Sequence, residues 1–158
     1  MQGFDPKLIE KFLKRKDVCI VCIGNPLRGD DAVGLEIGRE IEKFYDKVIV
    51  CELDPTAYVE KMKKYKNILI IDGIKMNKEP GSVWILKKED ILDLPFTTHD
   101  IGLRFIVEKF LKEREVLILG ICIEKTDFGR ELSDKVKKAK ELVVLTIRRI
   151  LGGKHIPK

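Results

Sequence analysis

The chain has 158 residues, 44% of them hydrophobic and 36% charged, a balance that suits one folded domain with a substantial core and an ionic surface and excludes an extended disordered chain. Its net charge of +5 comes from 31 basic residues interspersed with 26 acidic ones, and an aromatic content of 7% offers no stacking platform, so nucleic-acid binding is not expected. No apolar run approaches the about 20 residues that cross a bilayer, and the start MQGFDPKLIEKFLKRKD lacks the long apolar region and cleavage site of a secretory signal, so a cytoplasmic protein without stable membrane insertion is expected.

In chain order, the N-terminal stretch places Leu8, Ile9, Phe12 and Leu13 on one helical face, an extension over residues 1–17 that should dock on the domain. VCIVCIG (18–24) reads as a first strand, and DDAVGLEIGREIEKFY then sets Val33, Ile37, Ile41 and Phe44 on one face of a helix. KVIVCEL (47–53) is a second strand, TAYVEKMKKY a short helix and NILIIDG (67–73) a third strand. After the turn signal NKEPG, SVWILK reads as a fourth strand reached without a helix, hence an antiparallel edge member. IGLRFIVEKFLKER is a helix, EVLILGICIE a fifth and very apolar strand, and SDKVKKAKELVVLTIRRILGG a long helix ending at glycines. Continuously apolar strands alternating with helices imply a three-layer α/β sandwich: a mostly parallel five-stranded sheet, one antiparallel edge strand, and helices on both faces, all within a single domain spanning 1–158. The Lys/Glu/Ile-rich, Asn/Gln-poor composition also fits a thermophile.

Of four cysteines, Cys19 and Cys22 have the spacing of a redox or zinc pair. They lie within a strand, where residues three apart point to opposite faces, so they and the strand residues Cys51 and Cys122 read as small buried hydrophobes.

In parallel sheets, functional groups gather beyond the carboxyl ends of the strands, near a switch in strand order. Asp30 and Asp31 follow the first strand, Glu52 and Asp54 the second, and Asp72 closes the third, while His99 in TTHD precedes the following helix. Gly24 and Gly29 in GNPLRGDD superficially bracket a phosphate loop, but two aspartates stand where a lysine and a hydroxyl belong, so a phosphate would be repelled. Carboxylates plus one imidazole instead suit a borderline divalent cation such as nickel or zinc, and Asp31, Asp72 and His99 are the candidate set. Each has a blander reading: one of Asp30 and Asp31 as a helix N-cap, Asp72-Gly73 as a turn, and His99 as a surface residue between the capping groups Thr98 and Asp100. Ser82 and Ser133, at a strand start and a helix cap, and His155 in the tail supply no Ser/His/Asp triad.

GNPLRGDDAVG, LIIDG and TTHDIGL, in this order and strand context, resemble the hydrogenase maturation endopeptidases over about residues 18–150. The resemblance implies an aspartyl-type endopeptidase that removes the C-terminal extension of a nickel-iron hydrogenase large-subunit precursor after nickel insertion. It implies Asp31, Asp72 and His99 as the catalytic and metal-binding residues, and nickel carried by the precursor as the metal recognised, with no organic cofactor and a monomeric enzyme. Cleavage by a water activated at the metal and by a water deprotonated by a carboxylate both fit. The chain departs from the family pattern at Ala32, where glycine is frequent, and at ELDPTAY, where many members carry a glycine-rich segment. Glu52 and Asp54 there are expected to face the substrate. Two other readings remain at this point. One is a nickel-sensing chaperone that does not cut; the other is a phosphoacceptor receiver domain built on Asp30, Asp31, Asp72 and Lys125.

Overall fold

The computed structural model describes residues 1–52, 54–93 and 101–152. Among the described residues six strands form one sheet: β1 (Gln2–Gly3), β2 (Val18–Gly24), β3 (Val48–Glu52), β4 (Asn67–Ile74), β5 (Val83–Leu86) and β6 (Glu115–Cys122), in the order β1-β5-β6-β4-β2-β3. β3, β2, β4 and β6 run parallel to their neighbours, and β5 pairs antiparallel with β6. The three-layer α/β expectation therefore holds with one addition. Residues 2–3 pair antiparallel with β5, so SVWILK lies one place in from the edge assigned to it.

The helices are α1 (Pro6–Leu13), α2 (Val33–Ile41), α3 (Val59–Met62), α4 (Lys88–Asp93), α5 (Ile101–Lys109) and α6 (Asp134–Leu151), and none among the described residues is long and apolar enough to cross a membrane. α1 starts where Asp5 accepts the Lys7 N–H at 3.1 Å with Pro6 in the first turn, the arrangement that satisfies otherwise orphaned amides. It docks as expected, burying Ile9, Phe12 and Leu13 with α2 and α6 over one face of the sheet. α3, α4 and α5 cover the other face. Strand alternation divides the side chains between them: Ile20 and Cys22 join the first layer, Cys19 and Val21 the second. Each fully buried Ile or Leu contributes about 1.5–3 kcal/mol through removal from water. All four cysteines are buried and unpaired, and burial pushes the Cys19 and Cys51 thiols up to about 12.

From β2 the chain crosses through α2 to β3 on one side, then through α3 to β4 on the other. The switch in strand order thus falls between β2 and β4. α2 presses directly on that point, because a Cβ on Gly34 would meet the Ile23 carbonyl oxygen at 2.1 Å and the Ile71 oxygen at 2.8 Å. Only glycine permits the approach.

Candidate active site

The segment after β2 is built from its own polar residues. Asn25 Oδ1 accepts the Leu27 N–H at 2.9 Å, closing a local turn, and the Asn25 N–H donates to the Asp31 carbonyl at 2.9 Å. A short 3-10 turn, Gly29–Ala32, leads into α2. Gly29 has φ +52, and a Cβ there would lie 2.4 Å from the Lys125 carbonyl oxygen, so the turn sits tight against the segment that follows β6.

The two adjacent acids have different surroundings. Asp30 is completely buried, and its carboxylate accepts from the N–H groups of Glu124 at 3.2 Å, Lys125 at 3.0 Å and Ser133 at 2.7 Å, and from the Ser133 hydroxyl at 2.9 Å. The Asp30 N–H donates in turn to the Lys125 carbonyl at 2.7 Å. A buried carboxylate is tolerated where donors replace its lost hydration, and here four do. Asp31 is half-buried. It lies three residues before Gly34, one helical turn along from the contact with Ile23 and Ile71. The N-cap positions of the 3-10 turn and of α2 are Arg28 and Ala32, so neither acid occupies the N-cap place expected for one of them.

Asp72 is not in a turn. It is 5% exposed and lies inside β4, opposite Ile23 and Gly120 in register, with two further strand residues beyond it. Its parity with Ile68 and Ile70 places it toward the layer of α3 and α5. Asp31 and Asp72 therefore come to the same corner, the carboxyl side of the β2–β4 switch. His99 lies outside the described residues, as do Thr98, Asp100 and His155. Among the described residues no three His, Cys, Asp or Glu side chains cluster to hold a metal, so this part of the chain supplies at most two ligands of the expected three.

The remaining candidates have other work. Glu52 pairs with Arg39, and Asp54 caps the turn Pro55–Tyr58 by accepting from the Thr56 N–H at 3.0 Å and hydroxyl at 2.6 Å, an attachment that lowers its pKa. Ser82 Oγ accepts from Trp84 Nε1 at 2.8 Å and donates to the Glu79 carbonyl. Ser133 stands at the N-cap of α6 but turns its hydroxyl to Asp30. That long-range role of Asp30, reaching 103 residues along the chain, has no local sequence signal.

A parallel sheet flanked by helices, with acidic groups at its switch point, is the plan of an α/β enzyme. The family model for hydrogenase maturation protease matches residues 53–150. A Methanocaldococcus jannaschii protein bearing the hydrogenase maturation protease name is 32% identical over 167 residues, covering 96% of this chain and 98% of that one. The hydrogenase 3 maturation protease of Escherichia coli K12 is 28% identical over 144 residues, covering 78% and 84%. The crystal structure of the [NiFe] hydrogenase maturation protease HycI from Thermococcus kodakarensis superposes with a TM-score of 0.77 at 26% identity, over 91% of this chain and 98% of that one. The chain belongs to the hydrogenase maturation protease family and is a peptide-bond hydrolase. This displaces the chaperone and receiver readings. The receiver plan also fails on topology, since β4 passes to an antiparallel β5 with no intervening helix.

Proposed function

We propose that this enzyme removes the C-terminal extension of a nickel-iron hydrogenase large-subunit precursor once nickel has been inserted, with Asp31, Asp72 and His99 meeting the nickel that the substrate carries. The supporting observation is the convergence of Asp31 and Asp72 on the carboxyl side of the β2–β4 switch, where α/β sheets place their ligands. His99 is assigned by motif. The enzyme works as a single domain over residues 1–158, as a cytoplasmic monomer.

Two carboxylates and an imidazole include no thiolate, so the free enzyme holds nickel loosely and the metal arrives with the substrate. Recognition is then a difference in affinity: the nickel-loaded precursor gains a bridge that positions its scissile segment, and the empty precursor lacks it. The test is paired incubation of the purified enzyme with nickel-loaded and nickel-free precursor, read by mass spectrometry of the large subunit's C-terminus. Cleavage of the loaded form with little or none of the empty form is expected. Equal cleavage of both would remove the nickel gate, and cleavage of neither would remove the assigned substrate.

A further inference from the structure

Beside the candidate site, two loops carry large apolar side chains into solvent. Leu27, in the segment after β2, is 56% exposed, and Phe128, in the segment after β6, is 70% exposed. They are neighbours, because the Gly129 N–H donates to the Leu27 carbonyl at 3.0 Å. The Arg28 guanidinium lies over the Phe128 ring, 4.7 Å from its centroid, and its Nε–H reaches the Thr126 carbonyl at 3.4 Å. Pro26 next to Leu27 is also exposed.

Single exposed apolar residues are ordinary on protein surfaces. This pair differs in how it is held. The four donors to Asp30, the bond from the Asp30 N–H to Lys125 and the bond from Gly129 to Leu27 lace both loops together from beneath. The side chains are thereby kept in water on a rigid support, although a loosely tethered loop could fold them away. A surface ordered in advance loses less entropy when a partner arrives.

We propose that Leu27 and Phe128 form a docking ledge for an apolar stretch of the precursor polypeptide near its scissile bond. The inference rests on the substrate assignment above. The occupant follows from continuity: Leu27 and Asp31 belong to one tight turn, four residues apart, so the ledge adjoins the place where the precursor would meet Asp31. Beyond Phe128 the same loop opens into a cleft of about 500 Å³ lined by both signs of charge, including Glu124, Lys125, Arg130 and Lys135. An extended segment with an apolar anchor and a polar flank fits this succession.

The experiment compares wild-type enzyme with the double variant Leu27→Ser/Phe128→Ser and with a control, Leu142→Ser/Leu145→Ser, which alters two exposed leucines of α6. Affinity for the nickel-loaded precursor is measured by calorimetry, independently of cleavage, and circular dichroism follows the fold. The ledge variant should bind at least about tenfold more weakly while cleaving at near wild-type rate at saturation, with the control unchanged. Unchanged affinity would overturn the proposal, as would a loss of saturated rate without a loss of affinity. If wild type binds the precursor without cutting it, the substrate assignment fails while the affinity comparison still decides the ledge; if wild type does not bind, both fail. Self-association of wild type that the double variant abolishes would assign the ledge to a second copy of the chain and overturn the proposal. Phe128→Ala alone, leaving Leu27 intact, should lose part of the affinity and guards against misfolding of the double variant.

Discussion

The two edges of the parallel sheet are each tied by an aspartate, and the ties differ in kind. At the amino edge Asp17 sits between α1 and β2 in the left-handed region, with φ 58. Its carboxylate accepts the Lys66 N–H at 3.1 Å and its carbonyl the Asn67 N–H at 3.1 Å, joining the start of β2 to the start of β4. Asp17 is exposed, so water can replace each of its side-chain bonds. At the carboxyl edge Asp30 joins the segments after β2 and β6, but its own carboxylate is wholly enclosed, so water does not take the place of the bonds it accepts. The same residue type therefore forms a replaceable tie at one edge and an irreplaceable one at the other. The second is the edge that carries Asp31, Asp72 and the proposed ledge.

The largest expected effect is at this carboxyl edge. Asp31→Asn, Asp72→Asn and His99→Ala should each abolish processing of the nickel-loaded precursor with the fold retained, since each removes a proposed nickel contact without emptying the core. Gel-based cleavage with circular dichroism alongside reads the result, and full activity in two of the three would sink the assignment.

A second measurement tests the comparison itself. Asp30→Ala strands the amides of Glu124, Lys125 and Ser133, and should lower unfolding free energy in urea by about 3–5 kcal/mol. Asp17→Gly should stay within about 1 kcal/mol of wild type, because the lost bond is offset by relief of the left-handed conformation. Similar losses at the two edges would show that burial is not what separates them.

The smallest effect is expected in the strand between the edges. Replacing Cys19 and Cys22 together with alanine should cost about 1 kcal/mol per site and leave specific activity unchanged, since the two side chains pack on opposite faces of β2. A pH series adds a sign. Burial pushes the Cys19 thiol up from 9.0 to about 12, so the unfolded chain releases this proton first, and stability should be intact below pH 9 and fall as pH rises toward 12. Removing Cys19 should flatten that decline by about 1.4 kcal/mol per pH unit. A folded double variant without activity would overturn the packing role.

Much of this architecture was legible in the one-dimensional pattern. The runs VCIVCIG and EVLILGIC are apolar without alternation because β2 and β6 are covered on both faces, and that property is local enough to read from sequence. Boundaries were less legible: the helix expected to begin at Asp30 opens as a 3-10 turn, with α2 starting only at Val33, since the turn must stay against Lys125. KEDILD was missed as a helix because six residues hold too little periodicity to register. Strand β1 was missed because two residues have no pattern at all.

By itself the sequence determined the layered α/β class and the burial of the cysteines, because hydrophobic period and strand alternation are properties of neighbouring residues. Tertiary structure alone decided which of two adjacent aspartates became scaffold. Asp30 is enclosed because the segment between β6 and α6, about a hundred residues later, delivers its amides to it, whereas Asp31, one position on, is left half-buried at the switch point. Hydrogen-bond donors that arrive from distant segments leave no mark on the residues around their acceptor, so only the folded chain distinguishes the two acids.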